Sequence, residues 1–548
     1  LNQFYKDMQT HIKILLACTL LFVLTKTIFS QKEFTTYDEF PGIIKSYKPA
    51  YLEDYPNWAK MLYQDSVNYF EMLHEYENCN VKMLPEFSPT HRYFKIWKRQ
   101  IAQWVKEDGS IHLMDKSNYD RNLNSTQLNA SRLLKSEDRT MDKWRFLGPR
   151  ETYWLNENGS EEIPSACPWQ VNVYSFDVSE SNPEILYCGT ETGFVNKTTN
   201  KGKNWELLSP EYYFGGAVTA VIVHPNNPEI SYVASGNQVH KTQDGGITWS
   251  PLLDLQQLFH ADRLKFDPSD PERIYAAADS GLYYSKNGGV SWVKVWDQRV
   301  YDIEINPANH NKVWALSSNG ENFQLIYSEN RGSGFAVDST FPTGIFNQSG
   351  GLLAVSPADT SMVLAVMLSS DNTPVLYKFD SIENTWTLLA TGQSDNFPMN
   401  NGQGYFDLVL EISPTDPDII FAGTTSLFKS ENGGETFVII GGYGGAFAIH
   451  PDIQDLKLLA NGESWVSTDG GFTFSTDVFT NTENYFARNN GLVGSDMWGF
   501  DQGWNEDLLV GGRYHNGNTA VSELYGDKAL RMGGAESPTG WVLQGKSR

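Results

Sequence analysis

The segment Thr242-Gln-Asp244-Gly-Gly246-Ile-Thr-Trp249 returns, with small changes, along more than half of the chain. A second clean copy reads Ser467-Thr-Asp469-Gly-Gly471-Phe-Thr-Phe474. Asn replaces Asp in Ser285-Lys-Asn287-Gly-Gly289-Val-Ser-Trp292 and in Ser430-Glu-Asn432-Gly-Gly434-Glu-Thr-Phe437. Weaker copies are Thr198-Thr-Asn200-Lys-Gly202-Lys-Asn-Trp205 and Ser328-Glu-Asn330-Arg-Gly332-Ser-Gly-Phe335. A seventh, Asp380 to Trp386, carries an extra residue and no glycine. Asp or Asn beside Gly-Gly closes a tight turn, because Gly supplies positive φ and the Asx side chain bonds nearby backbone N–H groups. The aromatic after the turn packs beneath it. Asn200, Asp244, Asn287, Asn330, Asn432 and Asp469 are therefore read as structural, not as acids or calcium ligands.

A second signal precedes these turns by about 20 residues: an apolar strand ended by a Pro turn. Examples are Val221-Ile-Val-His-Pro225, Leu264-Lys-Phe-Asp-Pro268, Leu410-Glu-Ile-Ser-Pro414 and Phe447-Ala-Ile-His-Pro451. Another strand follows, as in Ile274-Tyr-Ala-Ala-Ala. Strand, Pro turn, strand, short strand, Asx-Gly turn, strand makes one blade of four antiparallel strands. The closing aromatics stand 37 to 51 residues apart, which is the period of such blades. The fold class is mainly β: a seven-bladed β-propeller, larger or incomplete if blades continue past the repeats, preceded by a small helical N-terminal segment.

The flanks divide as follows. Residues 1–30 read as a signal peptide with upstream residues: Met8 is the start, and Ile14 to Val23 is too short an apolar run to span a membrane. Cleavage is expected between Ser30 and Gln31. Leu15-Leu16-Ala17-Cys18 resembles a lipoprotein box, but Leu20 to Val23 continues the apolar core beyond Cys18. Residues 31–106 form a helical segment, with one amphipathic stripe from Trp58 to Leu73 and another from Tyr93 to Val105. Residues 107–145 are a polar linker, 146–520 the propeller, and 521–548 the start of a further region. No closing strand appears in Gly540 to Arg548, so the chain is expected to continue.

A net charge of -24 repels phosphate backbones and argues against nucleic acid as a partner. After cleavage three cysteines remain: Cys79, Cys167 and Cys188. They give no disulfide framework and no zinc spacing. Cys167 and Cys188 either pair or stay as two thiols. His240, His260 and His515 are scattered and suggest no metal site. No cofactor motif, no Gly-x-Ser-x-Gly and no His-Glu-x-x-His is present.

The paired signals resemble the Asp-box propellers of sortilin-type receptors, sialidases and xyloglucan-type glycoside hydrolases. The chain is also similar to large type IX-secreted propeller proteins of Bacteroidetes. That likeness is carried by Tyr55-Pro-Asn-Trp58, Val67-Asn-Tyr-Phe70, Tyr93-Phe-Lys-Ile-Trp97-Lys-Arg and Gln403-Gly-Tyr-Phe-Asp407. The resemblance implies a secreted or cell-surface protein and marks fold far more than function. It implies, too, that a hydrolase would carry its catalytic Asp in a Thr-Asp-x-Gly-Gly setting. Gly189-Thr190-Glu191-Thr192-Gly193 matches with Glu191 as the candidate carboxylate. The family's partner acid lies in another propeller and has no match in the sequence. The other reading is a module binding glycan or protein at the rim that leads into the innermost strands. Its candidates there are Trp169, Tyr213, His260, Asp262 and Arg299, with Tyr301 beside them. Tyr405, Asp407, Tyr443 and Trp498 complete the set. Trp169, Tyr405 and Trp498 are the ones expected to stack on sugar faces.

Overall fold

The computed structural model describes residues 53, 55–64, 67–79, 89–101 and 105–111. From 151 to 533 it describes all but 157–158, 166, 256–259, 346–349, 370–372, 381, 393, 395–396, 400–402, 404–406, 503–507 and 527. The signal-peptide segment, most of the linker, Tyr405 and residues beyond 533 lie outside this set. The chain divides into two units, Leu1–Lys143 and Trp144–Arg548. None of the described helices is long and apolar enough to cross a membrane.

The first unit holds three helices, Asn57–Leu62, Tyr69–Asn78 and Pro89–Ile101. The stripe from Trp58 to Leu73, expected as one helix, is broken in two. Asn68 causes the break: its side chain accepts from the N–H groups of Phe70 and Glu71 and starts a new helix. Trp58, Leu62, Met72, Phe94 and Trp97 meet in one aromatic core.

The second unit is a ring of seven four-stranded antiparallel sheets. In the first blade the strands are Val173–Val178, Leu186–Thr190, Val195–Thr198 and Glu206–Leu208, from the centre outward. The last blade comprises Ile453–Leu458, Ser464–Thr468, Gly471–Ser475 and Tyr485–Ala487. Second strands such as Leu186–Thr190 and Ser464–Thr468 are buried along their whole length, so they read as continuous apolar or small-residue runs. Fourth strands such as Ser250–Asp254 are largely exposed. Each innermost strand packs on the next, and Ile453–Leu458 packs on Val173–Val178, which closes the circle. The joint is tied by the Asp455 carboxylate, which accepts from Phe176 N–H at 3.2 Å, and by Lys457 Nζ, 3.0 Å from Asp177.

The Asx turns connect third to fourth strands. At Asp244 one oxygen accepts from Thr242 Oγ1 and Thr248 N–H, while Thr242 Oγ1 accepts from the N–H groups of Asp244 and Gly246. The same bonding recurs at Asn200, Asn287, Asn330 and Asn432. Asp380 keeps the turn without the hydroxyl. Asp469 departs from the set. It lies in the tight turn between second and third strands, at the opposite end of its blade. The turn that repeats the bonding there is Ser475-Thr-Asp477-Val478-Phe479. Its two glycine positions are taken by Val478 (φ 58°) and Phe479 (φ 51°), a strained backbone held because Phe479 is buried against Phe421 and Phe447. Asp244→Ala is expected to lower the midpoint of thermal or denaturant unfolding through lost turn bonds, with ligand binding by the folded protein unchanged.

An eighth sheet stands outside the ring. Met497–Gln502, Leu509–Arg513, Gly517–Val521 and Lys528–Gly533 form a meander. Glu151–Leu155, which precedes the first blade, pairs in parallel with Lys528–Gly533, and Glu162–Pro164 pairs antiparallel with Glu151–Leu155. Cys167 and Cys188 do not pair and are free thiols.

Candidate functional site

Turns between second and third strands, and loops leading into innermost strands, lie at one end of the ring. The turn Glu191-Thr192-Gly193 follows the first blade's second strand, and Asp469-Gly470 follows the last blade's. Because the circle closes there, the two turns become neighbours. The eighth sheet covers them with its own turn, Tyr514-His515-Asn516. Thr192 Oγ1 donates to Gly494 O at 2.8 Å, and Asn516 Nδ2 donates to Asp469 O at 2.8 Å.

Glu191 is only 6% exposed. Its carboxylate accepts from Asn172 Nδ2 at 3.0 Å and from Tyr174 Oη at 3.2 Å. His515 Nε2 stands 3.8 Å from it, and His515 Nδ1 stands 3.0 Å from Asp469 Oδ2. The two contacts use opposite nitrogens of one ring, so the carboxylates are separated by no more than about 9 Å. Burial pushes the Glu191 carboxyl up to about 7; His515 opposes that rise, while Asp469 and Asp496 add to it. Asp407 is 1% exposed and raised well above the usual carboxylate range by burial, then by Asp452 and Asp469. Asp469 Oδ1 accepts from Gln454 Nε2 at 2.7 Å.

His515 therefore does not stand apart, as its sequence position suggested; it is the hub of this cluster. Among the rim candidates, Trp169 lies under the Arg531 guanidinium, 3.2 Å from the ring centre, with His450 against its edge. Trp498 stacks on Tyr514 at 4.5 Å. One face of each ring is in contact with a neighbour, and both residues remain partly exposed. Asp407 is enclosed rather than open. Of the remaining candidates, Tyr405 lies outside the described residues, Tyr301 is buried, and two tyrosines are exposed. Tyr443 is 74% exposed and Tyr213 is 51% exposed. Arg299 binds Asp262 at 3.3 Å and Asp279 at 2.9 Å, with His260 touching both acids and the guanidinium over Tyr301. Asp279, on the turn after the third blade's second strand, was not singled out in the sequence. It holds the same blade position as Glu191 and Asp469, and that shared position is the signal that could have found it.

No protein-family model matches the chain, and no curated protein matches it in sequence. Among solved structures it is similar to an ancestral GH74 enzyme, at 16% identity and a TM-score of 0.51, over 65% of this chain and 54% of that one. It is likewise similar to the GH74 xyloglucanase of Xanthomonas campestris, at 14% identity and a TM-score of 0.51, over 64% of this chain and 59% of that one. The chain thus spans little more than half the length of these structures. At such identity the likeness establishes the propeller fold alone.

Proposed function

We propose that this chain is a non-catalytic propeller module of an exported protein, holding a glycan or protein ligand on the end of the ring where the innermost strands begin. Export rests on the short apolar run Ile14 to Val23. The observation that carries the binding reading is the exposure of Tyr213, in the loop leading into blade two, and of Tyr443, in the loop leading into the last blade. The His260, Asp262, Asp279 and Arg299 network lies on the same end, at blades three and four. An exposed ring beside ordered hydrogen-bonding groups suits a sugar face or an apolar peptide side chain.

The absence of catalysis rests on one ring. A glycosidase that uses two carboxylates keeps the space between them for the sugar and its water. Here the His515 imidazole fills the space between Glu191 and Asp469. The turn of the eighth sheet that faces Glu191 offers His515 and Asn516 rather than an acid. One observation favours the alternative, a hydrolase of xyloglucanase type: a carboxyl raised to about 7 is in the range of a general acid.

The two readings separate cleanly. On a glycan or peptide array the purified chain is expected to bind, with Tyr213→Ala and Tyr443→Ala each weakening binding about tenfold or more. Incubation with xyloglucan and other β-glucans is expected to release no reducing ends. Release that disappears in Glu191→Gln would make the hydrolase reading correct.

A further inference from the structure

We propose that Asp452, Asp469 and His515, with the buried carboxylate of Asp407 near them, form a site for one divalent transition-metal ion, of the Zn²⁺ or Mn²⁺ class, at the joint between the ring and the eighth sheet. Asp452, Asp469 and His515 each place a ligand atom within 4.8 Å of the other two. Asp469 Oδ2 and His515 Nδ1 stand 3.0 Å apart, an ion-pair distance that is also compatible with two ligands at right angles on one ion with bonds of ~2.1 Å. The supporting contacts are those of a metal site. Gln454 holds the other oxygen of Asp469, at 2.7 Å. The other nitrogen of His515 lies on the side of the Glu191 carboxylate, at 3.8 Å, beyond hydrogen-bond length.

Asp407 supplies the independent observation. It is 1% exposed, and neither of its carboxylate oxygens bonds to another of the described residues. It lies within electrostatic range of Asp452, Asp469 and His515. A buried carboxylate without hydrogen bonds is costly, and buried charges are paired or bound to metal. Among the described residues, neither Asp407 nor Asp469 forms an ion pair with Lys or Arg. The molecule holds a useful contrast. His260, Asp262 and Asp279 are grouped as closely, yet Arg299 bridges the two acids and already supplies the positive charge. Among the described residues, no Arg bridges Asp407 and Asp469 in that way.

The donor set selects the ion class. Carboxylates together with an imidazole suit Zn²⁺ or Mn²⁺, whereas Ca²⁺ takes six to eight oxygens and no imidazole. The ion would neutralise the buried acids and fasten the ring, which supplies the three Asp residues, to the sheet that supplies His515.

The test uses the full chain stripped with chelator, then titrated with Zn²⁺, Mn²⁺ and Ca²⁺ by calorimetry, metal analysis and thermal melting. One Zn²⁺ or Mn²⁺ per chain is expected, with the melting temperature rising by several degrees on addition. Asp407→Asn and His515→Gln should each weaken binding about a hundredfold or more, while His260→Gln leaves it unchanged. Because either ligand variant could fail to fold, Co²⁺ is added to the wild-type chain, where visible d–d bands report a nitrogen- and oxygen-ligated ion without any substitution. Three results would overturn the proposal. One is no stoichiometric binding of Zn²⁺, Mn²⁺ or Co²⁺ by the wild type. Another is binding undiminished in folded His515→Gln, and the third is binding of Ca²⁺ alone.

Discussion

Trp465→Ala is expected to lower the stability of the ring by about 3–5 kcal/mol, measured as a lower midpoint of urea unfolding with an unchanged slope. Trp465 is fully buried in the last blade, against Phe474 at 4.5 Å and edge-on to Phe472 at 5.9 Å. Its six-membered ring reaches across to Gly202 of the first blade, where an added Cβ would lie 3.2 Å from it. Trp205 of the first blade stacks on Phe472 at 4.9 Å and donates its indole N–H to Arg488 O at 2.7 Å. These contacts are the joint that closes the ring, so truncation leaves a cavity in the one interface formed between blades far apart in sequence. Trp465→Phe keeps most of the apolar surface. The Trp465 indole N–H has no partner among the described residues, so no bond is lost, and the cost should fall to about 1–2 kcal/mol. A Trp465→Ala loss below 1 kcal/mol would mean that the joint does not hold the ring closed.

The second large effect is a loss of stability in acid through His240. The ring is 1% exposed. Its Nε2 lies 3.0 Å from Phe214 O and its Nδ1 lies 2.9 Å from Tyr212 Oη, a set that fits the neutral form donating from Nε2 and accepting at Nδ1. Burial lowers its pKa to about 4. Between pH 6.5 and 4 the unfolded chain therefore binds a proton that the folded chain refuses. Stability present above pH 6.5 is lost as the pH falls through this window, by about 3 kcal/mol. His240→Gln keeps a donor and an acceptor but does not titrate. The wild type should lose about 3 kcal/mol more than this variant between pH 7 and pH 4. Parallel pH profiles would show that His240 takes up its proton without unfolding. The comparison with the variant is necessary because Glu191 and Glu411, both raised to about 7 by burial, favour the folded state as the pH falls.

The blades were legible because a tight turn needs particular residues, and those residues stand out in a sequence. Where the turn is held by other means, the signal vanishes. The last blade's turn has Val478 and Phe479 in place of glycines, and the reading moved instead to Asp469. The spacing was the clue: Ser430 to Ser467 is 37 residues, whereas Ser430 to Ser475 is 45, close to the 43 and 44 between earlier blades. The candidate site was only half legible. Glu191 was found through its Thr-x-x-Gly setting and Asp407 as a rim residue. His515 was missed because its partner carboxylates, Glu191 and Asp469, lie 324 and 46 residues away, and only ring closure together with the eighth sheet joins them. The parallel pairing of Glu151–Leu155 with Lys528–Gly533 leaves no local pattern at all. Exposure, too, is set by what packs above a rim, so Trp169 and Trp498 could not be told apart from Tyr213 and Tyr443.

That parallel pair decides how the molecule meets mechanical force. Glu151 lies opposite Lys528 and Tyr153 opposite Leu530, with the two strands running the same way. Tension on the chain before Glu151 and after Gly533 pulls them in opposite directions along their length. The hydrogen bonds between them are then loaded together in shear, not opened one after another as in a zipper. All seven blades lie within the loop that this clamp closes. Until it slips, a pull transmitted through the flanking chain passes across a short stretch of one sheet and leaves the ring unloaded.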